Sequence, residues 1–458
     1  MNSPTIQLHS EDSSSSSSQF LAIGDILFDE RYLLDLARSS NFYKRTPRKI
    51  DVCNLTAAIC VEGLKGSPSY NDLAANIETQ NPQHGPSRQA VHQRMGPALA
   101  AFIGRVLEDL IAKKIADSHP KFFENPNDSS RFAGYERVLV QDSTIIKLPS
   151  HLFEEFSGVA NATSQACNAR IQVIYDLLSG RLIHLSIDPY SKNDLAAAPD
   201  LQLQSNDLAL RDRGYLTLAE IQRHLDAGAD CIYRHKTDIT YLDPQTKEPI
   251  HLLALLRKHG HLDIPVLLNN KSHTPVRLVC APVSEEIANL RRMKARNETH
   301  GRNPSKTLLE LLSWTILITT IPGERADFKK LLAIYGLRWR VEILFKAWKS
   351  HMKFATLHRV SKSQMLILLK ARLLLITCCT NILYRALETT QWQKHKRRIS
   401  LLKLVKFLSA APENLLRALK SLSADIEQSD GFHKALLRYC CYDQRKRQNF
   451  SEKWSSLA

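Results

Sequence analysis

Tyr335-Gly-Leu-Arg338-Trp-Arg-Val-Glu342-Ile-Leu-Phe-Lys-Ala-Trp-Lys349 is the stretch on which the reading of this chain turns. Read as one helix, at about 100° per residue, it gathers Tyr335, Arg338, Glu342 and Lys349 within an arc of roughly 60°. Leu337, Val341, Leu344 and Trp348 fall on the opposite side and form a core stripe. The polar face is then a row of phenol, guanidinium, carboxylate and ammonium about 20 Å long, at ~1.5 Å per residue. A carboxylate between cations can hold a divalent metal while its neighbours hold phosphate. A solvated face with i,i+4 ion pairs accounts for the same four residues, so the rest of the chain has to decide.

Composition points toward a polyanion. The chain has 458 residues, a net charge of +16 and an apolar content of 43%, which suits a globular protein of several domains with nucleic acid as the first candidate partner. The N-terminus has no apolar signal region. The most apolar stretch, Met365–Leu387, is interrupted by Lys370, Arg372, Thr377, Asn381 and Arg385, and reads as a buried helix rather than a membrane span. The nine cysteines show no CxxC spacing and are expected to be reduced, in a cytoplasmic setting.

Residues 1–20, with the run Ser13–Ser18, are expected to be a mobile tail. Helical patterns dominate 21–130, with a polar, proline-containing linker from 119 to 136. Within the helical part, Ser69–Ile77 and Ser87–Met95 read as a helix-turn-helix pair. Arg88, Gln89, His92 and Arg94 on its second helix are placed to reach base edges or phosphates. An ordinary helical bundle has the same pattern.

An α/β rhythm follows over 137–236. Val138–Leu148 is a β-branched, near-continuously apolar strand with Asp142 in its middle, where a carboxylate is costly unless compensated. Arg170–Leu178 and Leu182–Ile187 form a hairpin about Ser179-Gly180, and Asp194–Leu203 reads as a short helix. Leu208–Glu220 is a strand, a turn and a helix, with Thr217 and Glu220 at capping-box spacing. Asp212 therefore sits at the carboxyl end of a strand, where open α/β sheets place their chemistry. Residues 237–312 break the rhythm as a β-rich insertion with a basic run, Arg291–Arg296, read as a phosphate-contacting patch. Residues 313–358 resume it with strand Trp314–Thr320, helix Arg325–Ile334 and the opening stretch. Residues 359–458 form a helical C-terminal region.

Asp142, Asp212 and Glu342 thus come from two strands and a helix flanking one sheet, and three converging carboxylates suit two divalent metals. Tyr335-x2-Arg338-x3-Glu342-x6-Lys349 resembles the YREK signature of the IS4-family DDE transposases, spacing included. Gln141-Asp142-Ser143 and Asp212-Arg-Gly-Tyr215 resemble the family's first and second catalytic aspartate segments. The resemblance, over about residues 60–355, implies a ribonuclease H-like catalytic core and metal-dependent cut-and-paste transposition of DNA. Asp142, Asp212 and Glu342 would hold two Mg²⁺, with Mn²⁺ substituting. Tyr335, Arg338 and Lys349 would grip phosphates, with Arg213 nearby. Trp314, 21 residues before Tyr335 (335 − 314), would stack a flipped base. The partners implied are the element's terminal repeats and target DNA, with a homodimer in the synaptic complex, no membrane, and a place at the bacterial nucleoid. The competing readings are a nuclease of the same fold without strand transfer, and a transposase-derived DNA-binding regulator.

Overall fold

The computed structural model describes residues 29–45, 50–80, 82, 85–112, 132, 134–160, 165–191, 197–298, 303–410, 434–435 and 438–442. The expected serine-rich tail, nearly all of the expected linker and the C-terminal residues from 443 lie outside these.

Five helices come first: α1 (Glu30–Ser39), α2 (Val52–Lys65), α3 (Tyr70–Gln80), α4 (Arg88–Arg94) and α5 (Pro97–Ala112). Their starts are set locally. Asp29, Asp51 and Ser87 each accept a backbone N–H of the first turn with their side chains, the usual way of satisfying helix-start donors.

The sheet is built from β1 (Arg137–Lys147), β2 (Ser157–Ala160), β3 (Gln165–Asp176), β4 (Arg181–Pro189), β5 (Asp207–Arg211), β6 (Asp230–Arg234), β7 (Tyr241–Leu242), β8 (Leu262–Leu268), β9 (Pro275–Pro282) and β10 (Trp314–Thr319). The order is β2-β3-β1-β5-β6-β10-β9-β8-β7, with β4 off this path as a further partner of β3. β3 is antiparallel to β1 and β4, β5 is parallel to both β1 and β6, and β10 returns antiparallel between β6 and β9. The β3–β4 turn has Gly180 at φ 65°, a conformation that favours glycine. The Asp176 carboxylate accepts the N–H groups of Leu178 and Ser179 in that turn. Alternation along the central strands divides the core. Val138, Val140, Leu208 and Leu210 face one layer, and Leu139 and Ala209 the other.

Helices α6 (Leu218–Asp226), α7 (Leu252–His259), α8 (Glu285–Glu298) and α9 (Lys306–Leu311) accompany the strands. Thr217 accepts the Glu220 N–H at the start of α6, as its spacing predicts. Two expectations are corrected here. The insertion carries three strands of the main sheet and also three helices, α7 to α9. Its basic run is not a free phosphate patch, because two of its arginines hold α8 on the chain that enters β10. Arg291 donates to Trp314 O and to Thr315 Oγ1 (3.0 Å each), and Arg292 to Leu309 O and Ser313 Oγ. The helix expected over 194–203 is also absent from residues 198–203, which have no regular structure.

The chain closes with α10 (Phe328–Gly336), α11 (Trp339–His351), α12 (Lys362–Thr377), a π turn (Cys378–Leu383), α13 (Tyr384–His395) and α14 (Leu401–Ser409). α12 and the π turn are long and apolar enough to cross a membrane, but most of this segment is buried within the fold. α12 packs on α2 and α5, so the N-terminal and C-terminal helices share one continuous core. All nine cysteines are free thiols.

Candidate active site

The sheet register brings the first two carboxylates together. β1 and β5 run parallel with Gln141 opposite Arg211, so the next residues, Asp142 in the middle of β1 and Asp212 just past the carboxyl end of β5, follow the last paired position side by side. Neighbouring strands lie ~4.8 Å apart. β5 ends there in a 3₁₀ turn, Arg213–Tyr215, which Asp212 precedes with extended backbone and no side-chain cap bond.

Glu342 arrives on α11. The opening stretch is two helices, not the single helix expected. α10 ends at Gly336, Leu337 and Arg338 form a tight turn, and α11 begins at Trp339. Arg338 N–H donates to Tyr335 O and Val341 N–H to Arg338 O, which are i−3 bonds rather than the i−4 bonds of an α-helix. The expected apolar stripe holds: Leu337, Val341, Leu344 and Trp348 are all buried. Trp348 packs edge-on against Phe345 and Phe354. The same helix packs on β1.

Arg338 closes the site. Its guanidinium donates to Asp142 Oδ2 and to Glu342 Oε1, both at 2.7 Å. It therefore bridges the strand carboxylate and the helix carboxylate. The fourth group, Lys349, donates to Ile145 O at 2.8 Å and ties the end of α11 to β1. Burial holds its ammonium below the usual lysine range. Tyr335 is half-buried, its hydroxyl 3.4 Å from Arg211 O on β5. Burial pushes that hydroxyl up to about 12. Asp212 also raises it, while Arg338 and Arg234 act in the other direction.

The Asp142 carboxyl is pushed up to about 6. Burial is the largest cause, with the Asp212 and Glu342 charges adding to it; Arg338 and the Ser143 N–H oppose the rise. Asp142 is thus a site under electrostatic strain from two further carboxylates. The consequence for stability has a definite sign. An unfolded Asp titrates near ~3.9, so the fold binds this proton more tightly than the unfolded chain does. That contribution is complete below about pH 4 and is lost as pH rises through about 6. Asp142→Asn is therefore expected to raise the melting temperature at pH 8, by on the order of 1–3 kcal/mol of stability, with the gain shrinking toward pH 4. Thermal melts without divalent cation check this; a lower melting temperature at pH 8 would contradict it.

Three carboxylates are hard oxygen donors of the kind divalent cations take. Here the Arg338 guanidinium is the cation that two of them, Asp142 and Glu342, hold. Among the described residues no three carboxylate, imidazole or thiol groups stand close enough together to enclose an ion as they are. The donor chemistry fits a divalent metal, and it is Arg338 that lies between two of the donors.

The remaining candidates are dispersed. Arg213 is exposed beside Asp212, whereas Tyr215 is buried, its hydroxyl donating to Gln172 Oε1. Trp314 is half-buried at the start of β10, its indole N–H on Gly260 O at 2.7 Å. Arg234 pairs with Leu317 across β6 and β10, which puts Trp314 at the same end of the sheet as Asp212. Arg88 and Gln89 are exposed on α4 and line a separate cleft that contains none of the three carboxylates. Arg94 is not available there, because it folds back onto Ala90 O. Sequence reading missed His358 and Arg359, which line that same cleft from the connection after α11. Their only signal was two adjacent basic side chains just beyond the polar helix.

A family profile described as "Transposase DDE domain" matches residues 134–382, more than half of the chain. The transposase for insertion sequence element IS231C of Bacillus thuringiensis subsp. berliner is 24% identical over 395 residues, covering 80% of each chain. That for IS1151 of Clostridium perfringens is 22% identical over 330 residues, covering 66% of this chain and 67% of its own. Among solved structures, the piggyBac transposase synaptic complex with hairpin DNA aligns at a TM-score of 0.44 and 9% identity, over 94% of this chain and 87% of that one. The profile match spans both strand aspartates, the glutamate helix and the insertion between them, and the chain belongs to the DDE-domain transposases.

Proposed function

We propose that the chain is an IS4-type cut-and-paste transposase acting on the ends of its own insertion sequence. Asp142, Asp212 and Glu342 serve as its metal-holding triad and Tyr335, Arg338 and Lys349 as its phosphate contacts. The observation that carries this reading is the placement of Asp142 beside Asp212 by strand register, with Arg338 linking Asp142 to Glu342. A ribonuclease H-like core is supported by the strand order β4-β3-β1-β5-β6, three antiparallel strands followed by two parallel ones. The insertion before Glu342 extends that sheet through β10.

Two Mg²⁺ held by the triad, with Mn²⁺ as a substitute, would supply activation of the attacking oxygen and charge neutralisation at the leaving oxygen. The chain's own residues do the rest. Arg338 exchanges its two carboxylate partners for a DNA phosphate, a fork geometry that suits either. That exchange frees Asp142 and Glu342 when an end is bound. Lys349, at the far end of α11, and Arg213, beside Asp212, contact the backbone on either side in this reading. Trp314 is half-exposed at the same sheet end and takes an extruded base, a contact contributing about 1–3 kcal/mol. Nicking, hairpin formation, reopening and joining to target DNA are all in-line phosphoryl transfers, so one triad serves each step. Synapsis of two ends requires a homodimer on DNA, in a bacterial nucleoid setting. The domains read as a DNA-binding helical unit over 21–130, a catalytic core over 137–236 and 313–358, an insertion over 237–312 and a helical region from 359.

The test is a strand-transfer assay with pre-cut, labelled terminal-repeat ends, supercoiled target and Mg²⁺. Joined product is expected. In a parallel reaction with uncut ends, cleavage there with no joining of the pre-cut ends would favour a nuclease, and binding without cleavage a regulator.

A further inference from the structure

A second cleft, of about 680 Å³, lies between the α3–α4 pair and the segment that leads from α11 into α12. This volume is in the range of small-ligand sites, ~300–1,000 Å³. None of its 14 lining residues is acidic. Its floor is apolar, with Met95 and Leu368 buried beneath it. One wall holds Tyr70, against which the His92 ring packs edge-on at 4.9 Å. Arg88 stands exposed on that side, and His358 and Arg359 on the other.

The two walls are fixed to each other. His358 N–H donates to Ser67 Oγ at 2.9 Å, and the Gln364 amide bonds the Tyr70 hydroxyl. Below them the buried Arg372 guanidinium donates to Gly63 O, Gly66 O and Phe354 O, joining the end of α2 to the chain leaving α11. The cleft is therefore a preformed space with an apolar base, an aromatic–imidazole wall and two guanidiniums at its mouth. A flat apolar group carrying an anion matches it: a base takes the ring wall and its phosphate the guanidiniums.

We infer that this cleft receives a single nucleotide of the element's end DNA, with its phosphate between Arg88 and Arg359 and its base against Tyr70 and His92. This rests on the DNA-end reading above and goes beyond it. It makes end recognition a joint act of the helix pair and of the chain that follows the glutamate helix, so that binding at the cleft reports directly to α11.

The test uses the full chain and duplexes of the terminal repeat carrying 5-iododeoxyuridine in place of single thymidines, irradiated and mapped by mass spectrometry. Crosslinks to Tyr70 or His92 from one short stretch of DNA are expected. In parallel, the double variant His358→Ala/Arg359→Ala is expected to bind the repeat about 10-fold more weakly. Its salt slope should fall by about one, the amount expected for loss of a phosphate contact. Both residues are exposed, so its melting temperature should not change. Wild-type binding of the repeat with no crosslink in the cleft, and an unchanged affinity and salt slope in the variant, would overturn the inference and leave the transposase reading standing. Failure of the wild-type chain to bind the repeat at all would overturn both. Equal loss of affinity for an abasic duplex in wild type and variant would point to the base; loss in the variant alone would show that only the phosphate is held, and the base half of the inference falls.

Discussion

Asp142→Ala is expected to abolish strand cleavage at the element's ends while leaving binding of those ends within about two-fold. Asp142 meets three charged groups of the site, Asp212, Glu342 and Arg338, and its carboxyl is displaced from its ordinary range by burial and by the other two carboxylates. A carboxylate so placed is costly to the fold, and its replacement by an uncharged side chain relieves that cost. Loss of an outer-sphere partner costs a metal site roughly 10–100-fold, and loss of a donor from the triad itself costs more. In the proposed reading end binding rests on cations, Arg88, Arg213 and Lys349 among them, with none of which Asp142 forms an ion pair. Labelled-end gels in Mg²⁺ and Mn²⁺ beside a mobility-shift titration separate the two effects. Retained nicking would remove Asp142 from the triad. Lost binding together with a lower melting temperature would make it a structural residue.

What could be read in advance divides along the range of the interactions involved. The strand around Asp142, the Gly180 turn and the Thr217 cap were legible because a few consecutive residues determine each. Asp212 at a strand end followed from the same local pattern. The break at Leu337–Arg338 was legible in principle, since Gly336 is a helix-ending residue. It was overridden because the apolar spacing runs through it without a change of phase. The arginines could not be assigned locally. Arg291 and Arg292 read as part of a phosphate-contacting patch, yet both turn inward to carbonyls of the chain that leads into β10. Arg340 sits inside a helix that reads as amphipathic, yet it is buried with its guanidinium 5.3 Å from the Tyr384 ring centre. Nothing in either segment names its distant partner. Nor does anything in α12 say that it will pack on α2 and α5. Its uniform apolarity shows burial without direction.

Arg372→Ala is expected to destabilise the protein by about 3–5 kcal/mol and to loosen the attachment of the N-terminal helices to the catalytic core. Arg372 is wholly buried, and burial pushes its guanidinium down to about 10, so it remains charged at neutral pH. Two opposing terms decide the outcome. Removing a buried charge relieves a desolvation cost of several kcal/mol. Against this, the carbonyls of Gly63, Gly66 and Phe354 lose their donor, each at a cost of about 1–3 kcal/mol. A cavity also opens where the arginine's stem packed, comparable to the 2–5 kcal/mol of a large-to-alanine change. Three orphaned carbonyls and a cavity together exceed the relief. Arg372→Met separates the terms, because it refills the space without restoring the bonds. It is expected to recover part of the loss, with the remainder reporting the carbonyls. Calorimetry of the three proteins checks the order wild type, Met, Ala. Limited proteolysis between α2 and α3 should quicken in the Ala variant, since Gly66 lies at that junction. A Met variant as stable as wild type would mean that the guanidinium only fills space. With the clamp intact, the end of α2 is tied through Gly63, Gly66 and Phe354 to the chain that leaves α11, the helix that carries Glu342.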